Sequence, residues 1–278
     1  MSLEIEGGDN SLQGANWQQA ISLLRNGRGE GRRPIGELPP DVTPRDIADA
    51  MQLQEAVHQR LISDGHGAIV GTKIGCTTSV MQEYLGMDHP CSGAIFDSTV
   101  FFQNGQYAFD SFLHVGVECE IAVTLGDTIP VQSTPHTMQS IKTAVASVHA
   151  AIEIVDDRYV DFENRIPDWR TWVADDFFGA GAVLGEPVYD WEQIDLPAIR
   201  GKMHINNKEV GAGFGRDIIN GHPLEALVWL ANEQSALGYE LSAGWIVMLG
   251  SVVQTQWLKK GDVVKVQLEQ LGTAAATF

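Results

Sequence analysis

From Trp17 to Arg25 the apolar residues Ala20, Ile21, Leu23 and Leu24 fall at helical spacing and predict a short helix. The segment RRPIGELPP then reads as a loop. Thr43-Pro44-Arg45-Asp46 predicts a helix start, with Thr43 as cap and Pro44 in the first turn. Ile47, Met51, Val57 and Leu61 carry the helical pattern on towards Gly65. Residues 1–65 therefore read as an N-terminal helical arm, whose first fifteen residues are polar, Gly-rich and expected to be loose.

Beyond residue 65 the period shortens. Ala68–Ile74 predicts a strand, and Thr78–Leu85 a short helix closed by Gly86. Short strands follow, broken by turns such as Gln103-Asn104-Gly105. Val117–Leu125 is the clearest strand, Thr137–Val148 has helical composition, and Ile152–Val155 reads as a buried strand. Met203–Val210 predicts a hairpin around Asn206-Asn207. His222-Pro223 opens a helix that carries Leu224, Leu227, Val228, Leu230 and Ala231 on one face. Strands near Ile246, Val263 and Ala275 end the chain. Without regular βαβ alternation the class is α+β. Residues 66–278 are expected to form the catalytic domain, in one folding unit with the arm.

Charge narrows the functions. The 278 residues carry 18 basic and 36 acidic side chains, so the net charge is 18 − 36 = −18. That balance opposes binding to nucleic-acid phosphates and to anionic membrane surfaces. The apolar run near Trp245–Leu249 is too short to span a bilayer. Cys76, Cys91 and Cys119 are widely spaced and form neither a disulfide framework nor a zinc motif. The start MSLEIEGGDN has no basic region followed by an apolar stretch, so a cytoplasmic protein is expected; Met1-Ser2-Leu3 resembles a cloning scar. Gly211-Ala212-Gly213-Phe214-Gly215 is not a dinucleotide-binding GxGxxG.

Candidate chemistry centres on Glu118-Cys119-Glu120. On a strand, Val117, Cys119, Ile121 and Val123 share one face, and Glu118 and Glu120 share the other. Two neighbouring carboxylates suit a hard divalent cation; a solvated strand face is the alternative. Glu153, in AAIEIVDD, is a second carboxylate in apolar surroundings, either a further ligand or an open-edge residue. Asp156 and Asp157 read as turn caps that could also reach a metal through water. Lys73, in GTKIG, suits an anionic substrate or proton transfer; a snorkelling surface lysine is the alternative.

GTKIGCTTSVMQEYLGMDHP, VECEIAVTL, AIEIVDDRY, VADD followed by GAVLG, GHPLEALVWLAN, LSAGWIVMLGS and GDVVKVQLEQLG occur in that order across residues 45–278. In these segments the chain resembles the 2-keto-4-pentenoate hydratase/4-oxalocrotonate decarboxylase family of the fumarylacetoacetase superfamily. The resemblance implies a mixed β fold of the fumarylacetoacetase C-terminal type with helices around it. It implies Mg2+ (or Mn2+) held at Glu118, Glu120 and Glu153, with Lys73 in the active site. It also implies a cytoplasmic homo-oligomer acting in aromatic meta-cleavage catabolism. The expected reaction is addition of water to a small anionic 2-hydroxy-2,4-dienoate, giving a 4-hydroxy-2-oxo acid. Decarboxylation of a 4-oxalocrotonate-type acid, hydrolysis of an acylpyruvate, and a non-catalytic partner of a homologous enzyme are the alternatives. Asp88 and Asp176 are the candidates to activate water. Departures from the family pattern fall at substrate-lining positions: Cys91 where many members carry Asp, Asp176-Phe177-Phe178-Gly179 in place of Asn-Ala-Ser-Ser, and Gly250-Ser251-Val252-Val253-Gln254 in place of Gly-Ser-Leu-Thr-Gly.

Overall fold

The protein is represented by a computed structural model that describes residues 11–29, 31–77 and 79–278. The first ten residues, with Met1-Ser2-Leu3, lie outside the described residues. The helices are α1 (Ser11–Arg25), α2 (Ile47–Leu61), α3 (Ser79–Leu85), α4 (Met138–Lys142), α5 (Trp169–Ala174) and α6 (Pro223–Leu237). The strands are β1 (Ile69–Gly75), β2 (Cys91–Phe96), β3 (Val100–Phe102), β4 (Asn104–Gln106), β5 (Val115–Leu125), β6 (Val145–Asp156), β7 (Gly179–Leu184), β8 (Arg200–Ile205), β9 (Lys208–Phe214), β10 (Ile246–Trp257), β11 (Val263–Leu268) and β12 (Gly272–Thr277). None of the described helices is long and apolar enough to cross a membrane.

Two mixed sheets form the body of the fold. One runs β2-β1-β10-β5-β6-β7-β3, the other β4-β12-β11-β8-β9. The larger sheet curls until β2 lies against β7. Gly93 marks that approach, because a Cβ there would stand 2.6 Å from the Asp176 carbonyl oxygen. The enclosed face carries small or slender residues, among them Ala122, Ala151, Ala182 and Met248. The opposite face, with Cys119, Ile121, Ile152 and Leu249, packs with the second sheet and with Leu224, Leu227 and Leu230 of α6. Each fully buried Leu or Ile there contributes about 1.5–3 kcal/mol. A further core joins the arm to the body: Ala20, Leu24, Leu53, Val57 and Leu61 share it with Trp172, Phe177 and Phe178.

Three local expectations change. Asp46, not Thr43, caps α2, accepting from the Asp49 backbone N–H at 2.9 Å. The Thr43 hydroxyl is committed to the preceding turn, donating to the Leu38 and Pro39 carbonyls. Within Thr137–Val148, helix is confined to α4, and Val145 already pairs as part of β6. Alanine favours helix in isolation, but between two partner strands the ladder decides. Gln103, with φ of 63°, turns the chain from β3 in the first sheet to β4 in the second. By contrast, Asn206 and Asn207 form the expected tight turn between β8 and β9, both at positive φ.

Candidate metal centre

Period two on β5 fixes the site. Val117, Cys119 and Ile121 are buried in the outer core, so Glu118 and Glu120 must occupy the enclosed face. Antiparallel pairing sets Glu118 opposite Glu153 and Glu120 opposite Ala151. Carboxylate oxygens of Glu118, Glu120 and Glu153 all lie within 4.8 Å of one another. Glu120 and Glu153 are 1% and 3% exposed, and Glu118 is half-buried. Residues one strand apart in chain order thus converge with no loop between them and the rigid sheet.

The neighbours complete part of this cluster. Gly250 N–H donates to Glu120 Oε2 at 2.7 Å, and the Thr255 hydroxyl donates to Glu118 Oε1 at 2.5 Å. The register of β10 against β5 shifts between Met248 and Ser251, and Gly250 takes φ of 137° there. Such a bulge frees an N–H from the ladder and aims it at the site. Lys73 Nζ stands 3.3 Å from Glu153 Oε1, but Glu153 Oε1 has no hydrogen-bond partner.

Electrostatics follow from this crowding. Burial and the neighbouring carboxylates raise Glu120 well above the usual carboxylate range. Burial also raises Glu153, to about 7, against the pull of Lys73. For Lys73, burial opposes the charge, but Glu153 and Glu118 outweigh it and hold the amine above the usual lysine range. Three carboxylates face one ammonium here among the described residues. An all-oxygen donor set, an excess of negative charge and a buried oxygen that has an ion-pair contact but no hydrogen bond together fit a hard divalent cation.

Lys73 also donates to the carbonyl of Phe177, and its Nζ lies 4.9 Å from the centroid of the Phe177 ring. That carbonyl belongs to an unusual turn. Asp176, Phe177 and Phe178 all have left-handed φ, at 59°, 44° and 66°. Each such non-glycine residue costs roughly 1–2 kcal/mol, so the turn must be held from outside. Asp175 receives Arg28 and Arg158, the latter from Nε at 2.9 Å. Asp176 receives His58 Nε2 at 2.5 Å, the Ala94 N–H at 2.9 Å and Arg28 at 3.3 Å. Burial raises the Asp176 carboxyl, but these partners reverse the effect and lower it to about 2.

The other sequence candidates separate. Phe178 does not border the cluster; its ring packs edge-on against Tyr159, Phe162 and Phe177 in the arm-side core. Phe177 lies over Lys73 and against Gly75, where a Cβ would meet its ring at 2.4 Å. Cys91 is buried opposite Gly75, and burial pushes its thiol up, so it stays protonated. Ser251 pairs with Glu120 in register, but its hydroxyl donates to the Cys119 and Val253 carbonyls. Asp88 is 99% exposed in its side chain, beside His89, and is not brought into the buried cluster. Asp156 caps backbone N–H groups of Leu113 and His114. Sequence reasoning missed Thr255, Arg158, Arg28 and His58, and named Gly250 only as part of a substrate-lining segment. The register of β10 shifts again between Val253 and Gln256, so simple alternation from Val253 does not flag Thr255; nothing in the local pattern flags Arg28 or His58.

Residues 99–278 match the family model described as fumarylacetoacetate (FAA) hydrolase C-terminal. A 2-keto-4-pentenoate hydratase of Paraburkholderia xenovorans (strain LB400) is 32% identical, over 94% of each chain. A 2-hydroxyhexa-2,4-dienoate hydratase of Comamonas testosteroni is 28% identical, over 94% of this chain and 95% of its own. In fold, the chain is similar to 4-oxalocrotonate decarboxylase from Pseudomonas putida G7, solved with magnesium and adipate, at a TM-score of 0.85 and 24% identity, covering 95% and 97% of the two chains.

Proposed function

We propose, since the chain belongs to the fumarylacetoacetate hydrolase C-terminal family, that it is a divalent-metal-dependent hydro-lyase. Its substrate is a small 2-hydroxy-2,4-dienoate, and its product a 4-hydroxy-2-oxo acid. The observation that carries the metal-dependent part is the convergence of Glu118, Glu120 and Glu153, two of them buried, with their oxygens within 4.8 Å of one another. The hydratase names attach to relatives near 30% identity over almost the whole chain, which favours hydration over the decarboxylase alternative.

Glu118, Glu120 and Glu153 would hold Mg2+. When bound, the ion supplies a positive charge that can bind the carboxylate and 2-oxygen of the substrate and draw electron density from the diene. Lys73 supports this from β1, which β10 separates from β5 in the sheet. Held as an ammonium, it is a donor, so it binds an anionic oxygen of the substrate rather than taking up a proton at rest. Ketonisation moves the enol proton to the far carbon of the diene, and water then adds at C4 of the conjugated 2-oxo acid. Asp176 is held by His58, Arg28 and Ala94, so it serves as an anchor of the turn rather than the water-activating base. Gly75, Phe177 and Cys91 give the site an apolar wall, which suits the hydrocarbon part of a dienoate.

The protein is further proposed to work in the cytoplasm as a homo-oligomer. The direct test of function is an assay with Mg2+ on 2-hydroxypenta-2,4-dienoate and on a 2-oxo-enedioate, following dienol absorbance and carbon dioxide together. Loss of dienol without carbon dioxide is the expected result. Carbon dioxide release would make it a decarboxylase; no turnover of either, with activation of a co-purifying homologue, would make it a partner protein.

A further inference from the structure

We infer that the N-terminal arm sets the position of Lys73: Arg28 and His58 act as positioning residues, through the left-handed turn at Asp175–Phe178, to aim the Phe177 carbonyl at the ammonium. The inference rests on the reading of Lys73 as an active-site cation.

The chain of contacts is continuous. His58 lies on the buried face of α2, and its Nε2–H donates to Asp176 Oδ1. Arg28, just beyond α1, forks between Asp175 and Asp176, and also donates to the Asp175 carbonyl at 2.9 Å. Arg158, from the body of the fold, holds the other side of the turn through Asp175 and the Gly179 carbonyl at 3.1 Å. The turn has left-handed φ at three residues that are not glycine, a conformation that persists only where surroundings enforce it. Its product is one carbonyl, that of Phe177, directed at Lys73 Nζ. Lys73 has a competing partner in Glu153 at 3.3 Å. Were the turn to relax, the ammonium would be free to collapse onto that carboxylate, at the expense of the substrate and the metal alike.

The arm could instead serve only to cover the core. Several features argue for more. The contacts to the turn are polar and directional, they come from two separate segments of the arm, and they converge on Asp175 and Asp176, where the left-handed stretch begins. Arg28 also borders a cavity of about 740 Å³ shared with Arg158, Asp176 and Gly179, so shortening it opens space to solvent and not a sealed void.

The test compares His58→Leu, which loses the donor, with His58→Gln, whose amide can donate from nearly the same place. His58→Leu should lower kcat for 2-hydroxypenta-2,4-dienoate about tenfold or more with KM within about twofold, and His58→Gln should restore kcat to within about threefold of wild type. Crystal structures of both variants without metal read the same point without turnover: the Phe177 carbonyl should leave Lys73 in His58→Leu and keep it in His58→Gln. If the wild-type protein hydrates no dienoate, the proposed function falls and the crystal structures alone decide the positioning role. A His58→Leu variant whose Lys73 still donates to Phe177, or which keeps wild-type kcat, overturns the inference. So does an equal loss of kcat in the two variants. If His58→Leu does not fold, Arg28→Lys carries the same comparisons, because it keeps the charge but cannot fork between the two aspartates.

Discussion

Glu118 and Glu153 face each other directly across the β5–β6 ladder, with Glu120 one diagonal step away on the same enclosed face. Like charges opposite one another in a sheet are unfavourable. The arrangement therefore stores a repulsion that a divalent cation bound there would relieve.

The first consequence is a pH dependence of metal-free stability. Glu153 has a folded-state pKa of about 7, above its ordinary 4.5. A raised carboxyl binds its proton more tightly in the folded state, so its contribution is fully present below about pH 4.5 and is lost as pH rises through 7. Thermal melts in EDTA should show Tm falling across that window. Mg2+ should flatten the slope, and its affinity should rise about tenfold per pH unit up to pH 7, because binding expels at least one proton. A melt profile in EDTA that is flat from pH 5 to 8 would contradict the burial of these carboxylates.

Removing one charge should separate stability from activity. In Glu153→Gln the repulsion disappears, and the metal-free protein at pH 8 should gain up to about 3 kcal/mol by denaturant unfolding, the equivalent of the raised pKa. Activity with Mg2+ should fall at least about a hundredfold. A variant less stable than wild type under those conditions would show that Glu153 is favourably paired without metal.

Asp176 carries the opposite sign. Its carboxyl is lowered to about 2 from 3.8, so its contribution of about 2 kcal/mol is present above pH 4 and is lost as pH falls through 2. Acid unfolding of wild type and Asp176→Asn should converge near pH 2 and separate above pH 4. Parallel curves would remove Asp176 from the ionised network with Arg28 and His58.

The two phenylalanines should behave differently. Phe178→Ala should lose about 3 kcal/mol of stability, as an aromatic ring deleted from a packed cluster, with kcat per folded molecule close to wild type. Phe177→Leu should change kcat or KM for the dienoate with a smaller effect on Tm. Equal effects in both assays would place the two rings in one role.

These residues also show what the sequence could and could not convey. Glu118 and Glu120 were legible because period two is a local rule, and the apolar neighbours declare which face is core. Glu153 was legible for the same reason, as a charge in a run of Ala and Ile. The hairpin at Asn206-Asn207 and the helix after His222 were local signals too. Thr137–Val148 misled because alanine propensity is weak beside the pairing of β6 with β5. Phe177 and Phe178 stood together in the sequence, and only the turn separates them, with Phe177 over Lys73 and Phe178 against Tyr159 and Phe162. Arg28 and His58 were invisible, because their partners are 147 and 118 residues away. Only the tertiary fold brings them to Asp175 and Asp176.

The most direct measurement is turnover of 2-hydroxypenta-2,4-dienoate by EDTA-treated protein, with and without added Mg2+, for wild type and Glu120→Ala. The expected result is no turnover without metal, recovery on adding Mg2+ for wild type, and no recovery for a folded Glu120→Ala. Full turnover by metal-free wild type, or by Glu120→Ala, would contradict a metal centre built on Glu118, Glu120 and Glu153.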